Sequence, residues 1–537
     1  NVTLSKDNVY TSIEPGTVTY SEDGSVTYDV KGTYGGTGVF FSPAGNDTFN
    51  IGDYSKLVIE ASVTTADIPL TIGMYQYTSD KFWQSGNGLE MSGADYTSPD
   101  TANEKFTIEY DLDNVNLWQR ENDISGVGLK ALWNIGDKSG RLTVYSIKFV
   151  KADKSGLPEL ESIKGVSDPV FHHTGTSINY SELANKSKLD YLTTHYSSVS
   201  LENEMKPDSI LGSWNPQFIS VDDAKKNTAD YVIPDSYTED TVPQLNFGTI
   251  DKVLKICKAY NIKLRAHTLV WHSQTPEFFF KEGYSRDADA GYVTPGIMDA
   301  RLEMYIRSVM HHVYTIEDGA YKDVVYTWDV ANEYMHNDAD KNWSAVYGNR
   351  AGENGLGNKP GYLKLAFQTA HDCLVEYGIE DKVSLVYNDF NTYFDCRDNI
   401  IEMVNYFNEE GKICDGVGMQ SHLGVAFPSV DGYLDTVTKF LQAGFEVQIT
   451  ELDIGIKPDD SSQTYEVQAE YVTKLMTGLI DIQKKIGGIT GITWWGMYDE
   501  ISWRGGNSSE GNSHPLLFDK NMYDPKPAYY AFINAFK

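Results

Sequence analysis

The sequence is poor in cysteine, in positive charge and in long apolar runs. Its 537 residues include four cysteines, none in a C-x-x-C pair, so neither a zinc site nor a redox motif is indicated. We expect four free, buried thiols, although the even number also allows two disulfides. Lys and Arg number 44 against 76 Asp and Glu, and a net charge of −32 excludes the basic surface that nucleic acid binding requires. No run of about 18 apolar residues is present, so no membrane span is predicted.

Aromatic residues, by contrast, are abundant. They make up 13% of the chain and include 36 tyrosines and 10 tryptophans. Exposed aromatic rings suit flat ligands with C–H faces, such as sugars. With 41% hydrophobic and 22% charged residues, the composition is that of a globular protein. The sequence opens on Asn1 rather than Met, which indicates processing or trimming, and no signal peptide is visible in it. We expect a secreted, extracellular protein.

Residues 1–153 carry a β pattern. Short alternating runs such as Ser25–Val30 and Lys56–Ala61 are separated by clusters of turn residues. Strands at this spacing predict an all-β sandwich. No long segment of helical period precedes about residue 180, and we expect a short, semi-rigid linker over residues 154–166.

From residue 167 onward, short apolar runs alternate with longer helical patterns such as Phe247–Tyr260 and Gly361–Tyr377. The predicted strands are Phe171–Thr176, Ser197–Leu201, Lys263–Trp271, Val324–Val330, Val383–Asn388, Gly416–Gln420, Glu446–Glu451 and Gly491–Trp495. Repeated βα units predict the α/β class. We therefore expect a (β/α)8 TIM barrel over residues 167–537, preceded by the all-β sandwich.

Polar side chains follow several of these strands. In a (β/α)8 barrel the catalytic groups lie at the C-terminal ends of the strands. Glu333, Glu451, His422 and His267 each stand at or just past an apolar run. One such residue is explained equally well as a solvated strand end, but four in one barrel are not. A pair of carboxylates indicates glycoside hydrolysis, in which an acid protonates the leaving oxygen and an anion faces the oxocarbenium-like carbon.

The motifs together point to a family. From about residue 165 to the C-terminus the sequence resembles glycoside hydrolase family 10, the endo-β-1,4-xylanases. The blocks that carry the resemblance stand in the family's order and are ENEMK (Glu202–Lys206), HTLVWHSQTP (His267–Pro276), WDVANE (Trp328–Glu333), YNDFN (Tyr387–Asn391), QSH (Gln420–His422), ITELDI (Ile449–Ile454), Trp495-Gly496 with Trp503, and PLLFD (Pro515–Asp519).

The resemblance implies a role for each matching position. Glu333 corresponds to the general acid/base and Glu451 to the nucleophile of a retaining double displacement. His422 would orient the nucleophile, and Asn332 would contact the 2-OH of the cleaved sugar. The positions that correspond to sugar-binding residues are Glu202, Asn203, Lys206, His267, Trp271, Gln420, Trp495 and Trp503. The last two would restrict a C6 hydroxymethyl group, which favours xylose over glucose.

The expected activity is endo-acting hydrolysis of internal β-1,4-xylosidic bonds, with xylan and xylo-oligosaccharides as partners. A β-1,4-glucanase on the same barrel and a non-catalytic polysaccharide-binding protein are the alternatives. We expect a monomer without cofactor or metal ion. The adjacent pairs His172-His173 and His311-His312 do not indicate a metal site, because neighbouring residues do not share a face of a strand or helix.

The resemblance does not extend to residues 1–153. From architecture and context we expect a carbohydrate-binding module that binds xylan. Trp83, Trp118 and Tyr77 are its candidate ligand-binding residues. A calcium-stabilised sandwich and a simple spacer are the alternatives.

One segment departs from the family pattern. Residues 214–242 form an insertion after the second predicted strand, which places them on the catalytic face of the barrel. A surface loop is the simpler interpretation, because long insertions cost little entropy. The alternative is that Trp214, Phe218 or Tyr231 extends the sugar-binding cleft.

Overall fold

The computed structural model describes residues 1–2, 4, 9–11, 18–31, 38–41, 49–50, 54–77, 88–111, 123–124, 126–131, 138–151, 156–506 and 511–537. The chain divides into two compact units. The first comprises Asn1–Pro158 and also takes in Ser181–Asp190, and the second comprises Glu159–Tyr180 and Tyr191–Lys537. Within the described residues, none of the helices combines the length and the apolar character that crossing a membrane requires.

The first unit is built from antiparallel strands. They are β1 (Val9–Thr11), β2 (Thr19–Tyr20), β3 (Val26–Lys31), β4 (Gly38–Phe41), β5 (Phe49–Asn50), β6 (Tyr54–Val63), β7 (Pro69–Tyr77), β8 (Gly88–Thr97), β9 (Lys105–Asp111), β10 (Asp123–Ile124), β11 (Gly126–Ala131) and β12 (Ser139–Lys151). One five-stranded sheet has the order β1-β4-β11-β7-β8, a second has the order β2-β3-β12-β6-β9, and β5 pairs with β10.

The two five-stranded sheets enclose a hydrophobic core. Along β3 the side chains of Val26, Tyr28 and Val30 are fully buried and alternate with partly exposed residues, as expected of a strand with one face in a core. The hydroxyl of Tyr28 donates to the carbonyl of Leu129 on β11 at 2.5 Å, which links one sheet to the other. The predicted all-β sandwich is confirmed.

The second unit contains the parallel barrel. Its strands are β13 (Thr174–Ile178), β14 (Ser198–Leu201), β17 (Lys263–Trp271), β18 (Val325–Asn332), β19 (Ser384–Asp389), β20 (Gly416–Met419), β22 (Glu446–Gly455) and β23 (Ile489–Trp494). They pair in the order β20-β19-β18-β17-β14-β13-β23-β22, and β20 also pairs with β22, which closes the sheet into a barrel of eight strands. Three short strands complete the set: β15 (Phe218–Ser220), β16 (Thr241–Pro243) and β21 (His422–Gly424). The predicted (β/α)8 architecture is confirmed.

Helices connect the barrel strands. They are α1 (Ile163–Phe171), α2 (Tyr180–Leu183), α3 (Lys186–His195), α4 (Pro207–Leu211), α5 (Val221–Lys226), α6 (Gly248–Ala259), α7 (Pro295–Gly319), α8 (Asn342–Tyr347), α9 (Gly361–Glu376), α10 (Asp395–Phe407), α11 (Val430–Gln442), α12 (Tyr465–Lys485) and α13 (Pro527–Ala535), with 3-10 turns at Glu277–Phe280, Glu282–Tyr284, Tyr334–His336 and Asp499–Ile501. Local sequence explains several of their starts. The hydroxyl of Ser429 caps α11 and that of Thr464 caps α12, while α7 and α13 begin with proline.

The barrel domain begins earlier than its sequence pattern indicates. The predicted linker over 154–166 gives way to helix α1 at Ile163, whose first turn is capped by the hydroxyl of Ser162. The helix contains Gly165 and Pro169, both poor helix formers, and they hide its period in the sequence. Because α1 runs to Phe171, the first barrel strand starts at Thr174 rather than at the predicted Phe171.

The insertion is more than a surface loop, because ion pairs tie it to helix α7. Arg301, which is fully buried, donates from Nε and Nη2 to the two carboxylate oxygens of Glu239 at 2.6 and 2.5 Å. A second link joins His312 Nδ1 to the carboxylate of Asp230 at 2.7 Å. A buried arginine is tolerated only when it is paired in this way.

Candidate active site

A single pocket of about 520 Å³ collects the predicted site residues of the barrel. Its lining consists of Glu202, Asn203, Lys206, His267, Trp271, Asn332, Glu333, Phe390, Asn391, Gln420, His422, Glu451, Trp495 and Trp503. Most of these positions lie at or after the C-terminal ends of the barrel strands, where the βα connections begin, whereas His267 lies inside β17 and Glu451 inside β22. All twelve barrel residues singled out from the sequence line this pocket, together with Phe390 and Asn391.

Glu333 stands directly after strand β18, in a left-handed backbone conformation with φ 61°. Its Oε2 accepts a hydrogen bond from Nε1 of Trp271 at 2.8 Å, and its Oε1 accepts one from Nε2 of Gln420 at 2.8 Å. Burial raises the pKa of the carboxyl group, and the negative charges of Asp389 and Glu451 add to that rise, whereas the two hydrogen bonds oppose it. The net direction favours the protonated acid.

Glu451 lies within strand β22, and its surroundings shift the pKa of its carboxyl group downward, opposite to the shift of Glu333. Its Oε1 accepts from Nδ2 of Asn388 at 2.9 Å, and its Oε2 lies 3.1 Å from Nε2 of His422. Burial alone would raise the pKa of this carboxyl group, but the hydrogen bond with His422 and the nearby imidazole charges outweigh it and lower the pKa to about 2. Glu451 is therefore held as a carboxylate.

His422 is the source of that effect. Its Nδ1 lies 2.8 Å from Oδ2 of the fully buried Asp453, while its Nε2 faces Glu451. Burial would lower the pKa of the imidazole, but the two carboxylates raise it to about 10. The indole of Trp503 also donates to Asp453, at 3.0 Å, so the orientation of this histidine is fixed from two sides.

Side-chain amides connect the two glutamates. Nε2 of Gln420 donates both to Glu333 and to Oδ1 of Asn332, at 2.8 and 3.1 Å. Nδ2 of Asn388 donates both to the same Asn332 oxygen and to Glu451, at 3.0 and 2.9 Å. Parallel pairing of β18 with β19 sets Asn332 beside Asn388 and makes this arrangement possible. The oxygen of Asn332 is thereby occupied, and its amide nitrogen is the group it can offer to a ligand as a donor.

A buried ion pair supports the neighbouring wall. The guanidinium of Arg265 binds both oxygens of Asp329 inside the barrel, and Asp329 also lies 2.7 Å from Nδ1 of His267. These contacts fix the His267 ring, which packs edge-to-face against Trp495 at 5.8 Å. Trp495 is buried, whereas Trp503 is 43% exposed, so one indole belongs to the pocket floor and the other to its rim.

Lys206 supplies positive charge to the opposite side of the pocket. Its ammonium group donates to Oε1 of Gln274 at 2.8 Å and lies 4.9 Å from the centre of the Trp271 ring. Burial lowers the pKa of this lysine, although the carboxylates of Glu451 and Glu202 act in the opposite direction. The neighbouring Glu202 accepts a hydrogen bond from the hydroxyl of Ser177 at 2.9 Å, which fixes its carboxylate.

Sequence reasoning assigned no role to several residues that organise the site. Asn388 holds Glu451, Asp453 orients His422, and Phe390 with Asn391 lines the pocket. Their signal was present, because Tyr387–Asn391 and Ile449–Ile454 were both recognised as motifs. What the sequence could not show is which members of a motif bond to the carboxylates.

The insertion does not contribute to the described pocket. Tyr231 is buried and its hydroxyl donates to the carbonyl of Pro243 at 3.1 Å, so its prediction as a cleft residue is wrong. Phe218 packs edge-to-face on Phe278, with ring centres 5.6 Å apart. Trp214 is 96% exposed and remains a candidate for sugar binding, although it does not line the pocket.

Two of the candidate ligand-binding residues of the first unit, Trp83 and Trp118, lie outside the described residues. Tyr77 is the last residue of strand β7, and its side chain is outside the described part of the chain. Their assignment stays a prediction. The four cysteines are free thiols, as expected, and three of them are buried, whereas Cys396 is partly exposed and departs from the expectation of four buried thiols.

One group outside the pocket has the residue types of a metal site. Asp499, His514 and Asp519 can place ligand atoms within 4.8 Å of one another. However, the ammonium group of Lys526 donates to Asp499 at 2.8 Å and to the carbonyl of His514 at 2.6 Å. A cation is thus already part of the cluster, which we interpret as an ion-pair network at the C-terminal segment of the barrel.

The barrel region that contains the pocket matches a known protein family. The family model "Glycosyl hydrolase family 10" matches residues 162–535, which is more than half of the chain. The chain belongs to this family. Pocket and family agree, because the matched region contains both glutamates and every residue that lines the pocket.

Relatives in the family carry consistent names. An endo-1,4-beta-xylanase A of Butyrivibrio fibrisolvens is 44% identical over 340 residues, covering 63% of this chain and 75% of the relative. Endo-1,4-beta-xylanase A of Thermotoga maritima is 29% identical over 472 residues, covering 86% of this chain. The chain spans only 37% of that relative's length.

Solved structures show the same folds. The CBM22-1–GH10 modules of Clostridium thermocellum endo-1,4-beta-D-xylanase 10B, complexed with xylohexaose, align at 21% identity and TM-score 0.56, covering 99% of this chain and 96% of that one. An intracellular xylanase of Thermoanaerobacterium saccharolyticum aligns at 25% identity and TM-score 0.54, covering 70% of this chain and 98% of that one. The first likeness extends over both units, and at this identity it is a likeness of fold.

Proposed function

We propose that this protein is an endo-1,4-β-xylanase that cleaves internal bonds of xylan by a retaining double displacement. The observation that carries the proposal is the pair of glutamates in one pocket with opposite pKa shifts, Glu333 raised and Glu451 lowered to about 2. Two carboxyl groups whose surroundings shift their pKa values in opposite directions are what an acid and a nucleophile require. Family membership and the xylanase names of the relatives support the choice of substrate.

In the first step the carboxylate of Glu451 attacks the anomeric carbon while Glu333 gives its proton to the glycosidic oxygen. A glycosyl–Glu451 ester forms, the C–O bond to the leaving sugar breaks, and that sugar departs as an alcohol. Glu451 is suited to this role because Asn388 and His422 hold it ionised and oriented. Glu333 is suited to its own because its raised pKa keeps the proton available.

In the second step Glu333 acts as a base and Glu451 becomes the leaving group. Once Glu451 is an ester it carries no charge, and one cause of the raised pKa of Glu333 disappears. Glu333, now ionised, takes a proton from water, whose oxygen attacks the anomeric carbon and releases Glu451 as a carboxylate. The sum of both steps consumes one water per bond, and two inversions return the β configuration.

The lining residues support the recognition of sugar. Trp271, Trp495 and Trp503 offer aromatic faces and indole edges, while Asn332 offers an amide donor for the 2-OH of the cleaved sugar. A β-1,4-glucanase is the alternative, and turnover of mixed-linkage glucan faster than of xylan would favour it. Restriction of the C6 hydroxymethyl group by Trp495 and Trp503 favours xylan.

The deciding experiment follows product configuration during early hydrolysis of xylohexaose by proton NMR. We expect the β anomer of the reducing sugar to appear first and the α anomer to follow by mutarotation. An α anomer formed first would contradict the double displacement while leaving the assignment as a xylanase intact. Absence of any cleavage of xylan would contradict the assignment itself.

We further propose that the first unit binds xylan and that the protein acts outside the cell as a monomer. Support comes from the sandwich fold, its likeness to a structure described as CBM22-1–GH10, and a polymeric substrate that must be degraded before uptake. Affinity electrophoresis of the full chain carrying Glu451→Ala, in gels with and without xylan, tests the binding. We expect retardation that weakens when Trp83 and Trp118 are replaced by alanine, and unchanged mobility would refute it.

A further inference from the structure

Two large aromatic side chains are exposed on neighbouring loops of the barrel. Phe394 lies between β19 and α10 and is 55% exposed, and Phe427 lies between β21 and α11 and is 58% exposed. Their ring centres are 6.4 Å apart with an interplanar angle of 33°. We refer to these two residues as the aromatic pair. Single exposed apolar residues are common, whereas adjacent large ones are typical of a surface that binds a ligand or another macromolecule.

The aromatic pair rests on a rigid support. Tyr393 is buried beneath it, with its ring 6.4 Å from Phe394 and 6.3 Å from Phe427 in edge-to-face contacts. The Tyr393 ring also packs against Tyr433 on α11, at 5.8 Å. The pair is therefore held in place from below and does not depend on a ligand for its position.

The same loops that carry the aromatic pair also line the substrate pocket. Phe394 follows the pocket residue Asn391 by three positions, so their Cα atoms are at most about 11 Å apart. Phe427 closes a turn with Gly424, whose N–H donates to the Phe427 carbonyl at 2.9 Å. Since Gly424 is two residues from the pocket residue His422, Phe427 lies within about 14 Å of it. The aromatic pair is therefore within reach of a sugar chain that extends beyond the pocket on this side.

A second concavity, of about 380 Å³, begins beside Phe427. Its lining includes the polar residues Ser429, Asp431, Glu470 and Lys474. The sequence neighbours of Phe427, Ala426 and Pro428, line this concavity, whereas Phe427 itself does not. Exposed aromatic faces with hydroxyl, carboxylate and ammonium groups in an adjoining concavity suit a sugar, which has apolar C–H faces and hydroxyl groups at its edge. A second copy of this chain fits less well, because it would bring a further net charge of −32 to the interface.

We propose that the aromatic pair is a distal sugar-binding platform that holds xylosyl units of the substrate beyond the pocket. The proposal rests on the function proposed above and names a further substrate-binding surface for it. The platform touches no reacting atom. It contributes binding free energy only when the substrate is long enough to reach it, so its effect must depend on chain length.

The test compares the full chain with Phe394→Ala, Phe427→Ala and the double variant. Initial rates are measured on soluble xylan, on xylohexaose and on the shortest xylo-oligosaccharide that the enzyme cleaves. We expect the double variant to lose about threefold to tenfold in kcat/KM on xylan, carried mainly by KM, and to keep its rate on the shortest substrate. Phe427→Tyr keeps an aromatic face and should retain at least half of the wild-type value on xylan.

The control is Tyr530→Ala, which removes another half-exposed aromatic residue, on α13 and outside the pocket lining, and should alter none of these rates. Equal kcat/KM of wild type and double variant on xylan, with matching melting temperatures, would overturn the platform. So would equal losses on the shortest and longest substrates, or a wild-type dimer that the double variant converts to monomer in light scattering. Failure of the wild type to cleave xylan at all would instead refute the proposed function.

Discussion

Glu333 and Glu451 are the same residue type in one pocket, yet their surroundings differ in kind. Glu333 accepts hydrogen bonds from two neutral donors, an indole and an amide, and stands near the carboxylate of Asp389. Glu451 faces an imidazole that is itself charged by Asp453. Burial raises the pKa of both carboxyl groups. Only around Glu451 is there enough positive charge to outweigh burial and lower the pKa. The difference teaches that the role of each glutamate is set by its neighbours.

We expect the largest effect on activity from removing the carboxylate of Glu451, the proposed nucleophile. Glu451→Ala should lower kcat by about 10⁴-fold or more on every substrate, because no covalent intermediate can form. Initial rates on xylan and on an aryl xylobioside measure the loss. Glu466→Ala, at an exposed position of α12, is the matched control and should behave as wild type. Full activity of Glu451→Ala would contradict the assignment.

Removal of the acid should lower the rate on xylan far more than the rate of the first step on an activated aryl xylobioside. Glu333→Ala is expected to lose about 10²–10⁴-fold on xylan, where the leaving alcohol needs a proton. An aryl xylobioside with a nitrophenol leaving group needs no such help, so its first step should be largely preserved and a burst of nitrophenol should precede a slow steady state. Stopped-flow absorbance records the burst. Equal losses on both substrates, without a burst, would show that Glu333 is not the acid.

Neutralising the imidazole beside Glu451 should reduce the difference between the pKa values of the two glutamates. His422→Gln removes the cation that lowers the pKa of Glu451, so that pKa should rise from about 2. Because protonated Glu451 cannot attack, the acid limb of the kcat/KM profile should move to higher pH, so the loss in kcat/KM should grow as the pH falls. His371→Gln, on α9 outside the pocket lining, is the control. An acid limb unchanged in His422→Gln would contradict this account.

The smallest effect concerns the indole donor to Glu333. Trp271→Phe keeps an aromatic ring but removes the Nε1–H that lowers the pKa of that carboxyl group. The pKa should therefore rise further, and activity, which is lost as pH increases through the pKa of the acid, should persist to higher pH. We expect a shift of the basic limb by less than about one pH unit. A shift to lower pH would refute the stated role of the hydrogen bond.

How much the sequence could predict depends on the range of the interactions involved. Strand β17 matches its predicted bounds, Lys263–Trp271, because an apolar run in a parallel sheet is a strong local signal. Helix α1 was missed because Pro169 and Gly165 obscure its period. Motifs located the pocket lining because they preserve the order of a family. The motifs could not show which side chains bond to each glutamate, because those partners come from other strands and loops.

The contacts of the insertion could not be predicted from the sequence, because they join residues that are far apart in the chain. The salt bridge between Glu239 and Arg301 joins positions 62 residues apart, and nothing local in either segment announces it. Long-range pairing of this kind is decided when the barrel closes, so the sequence suggested a free loop where the structure has an anchored one. Tyr231 was a candidate for the cleft for this reason, and its burial against Pro243 is a consequence of the anchoring.

The amides between the two glutamates have a consequence for proton traffic. Gln420, Asn332 and Asn388 form a continuous set of hydrogen bonds from Glu333 to Glu451, yet an amide N–H at ordinary pH is a fixed donor that does not exchange roles with its acceptor. The connection is mechanically stiff but insulating to protons. No proton passes along it from one glutamate to the other, and in the proposed second step the attacking water returns to Glu333 the proton that left with the first sugar.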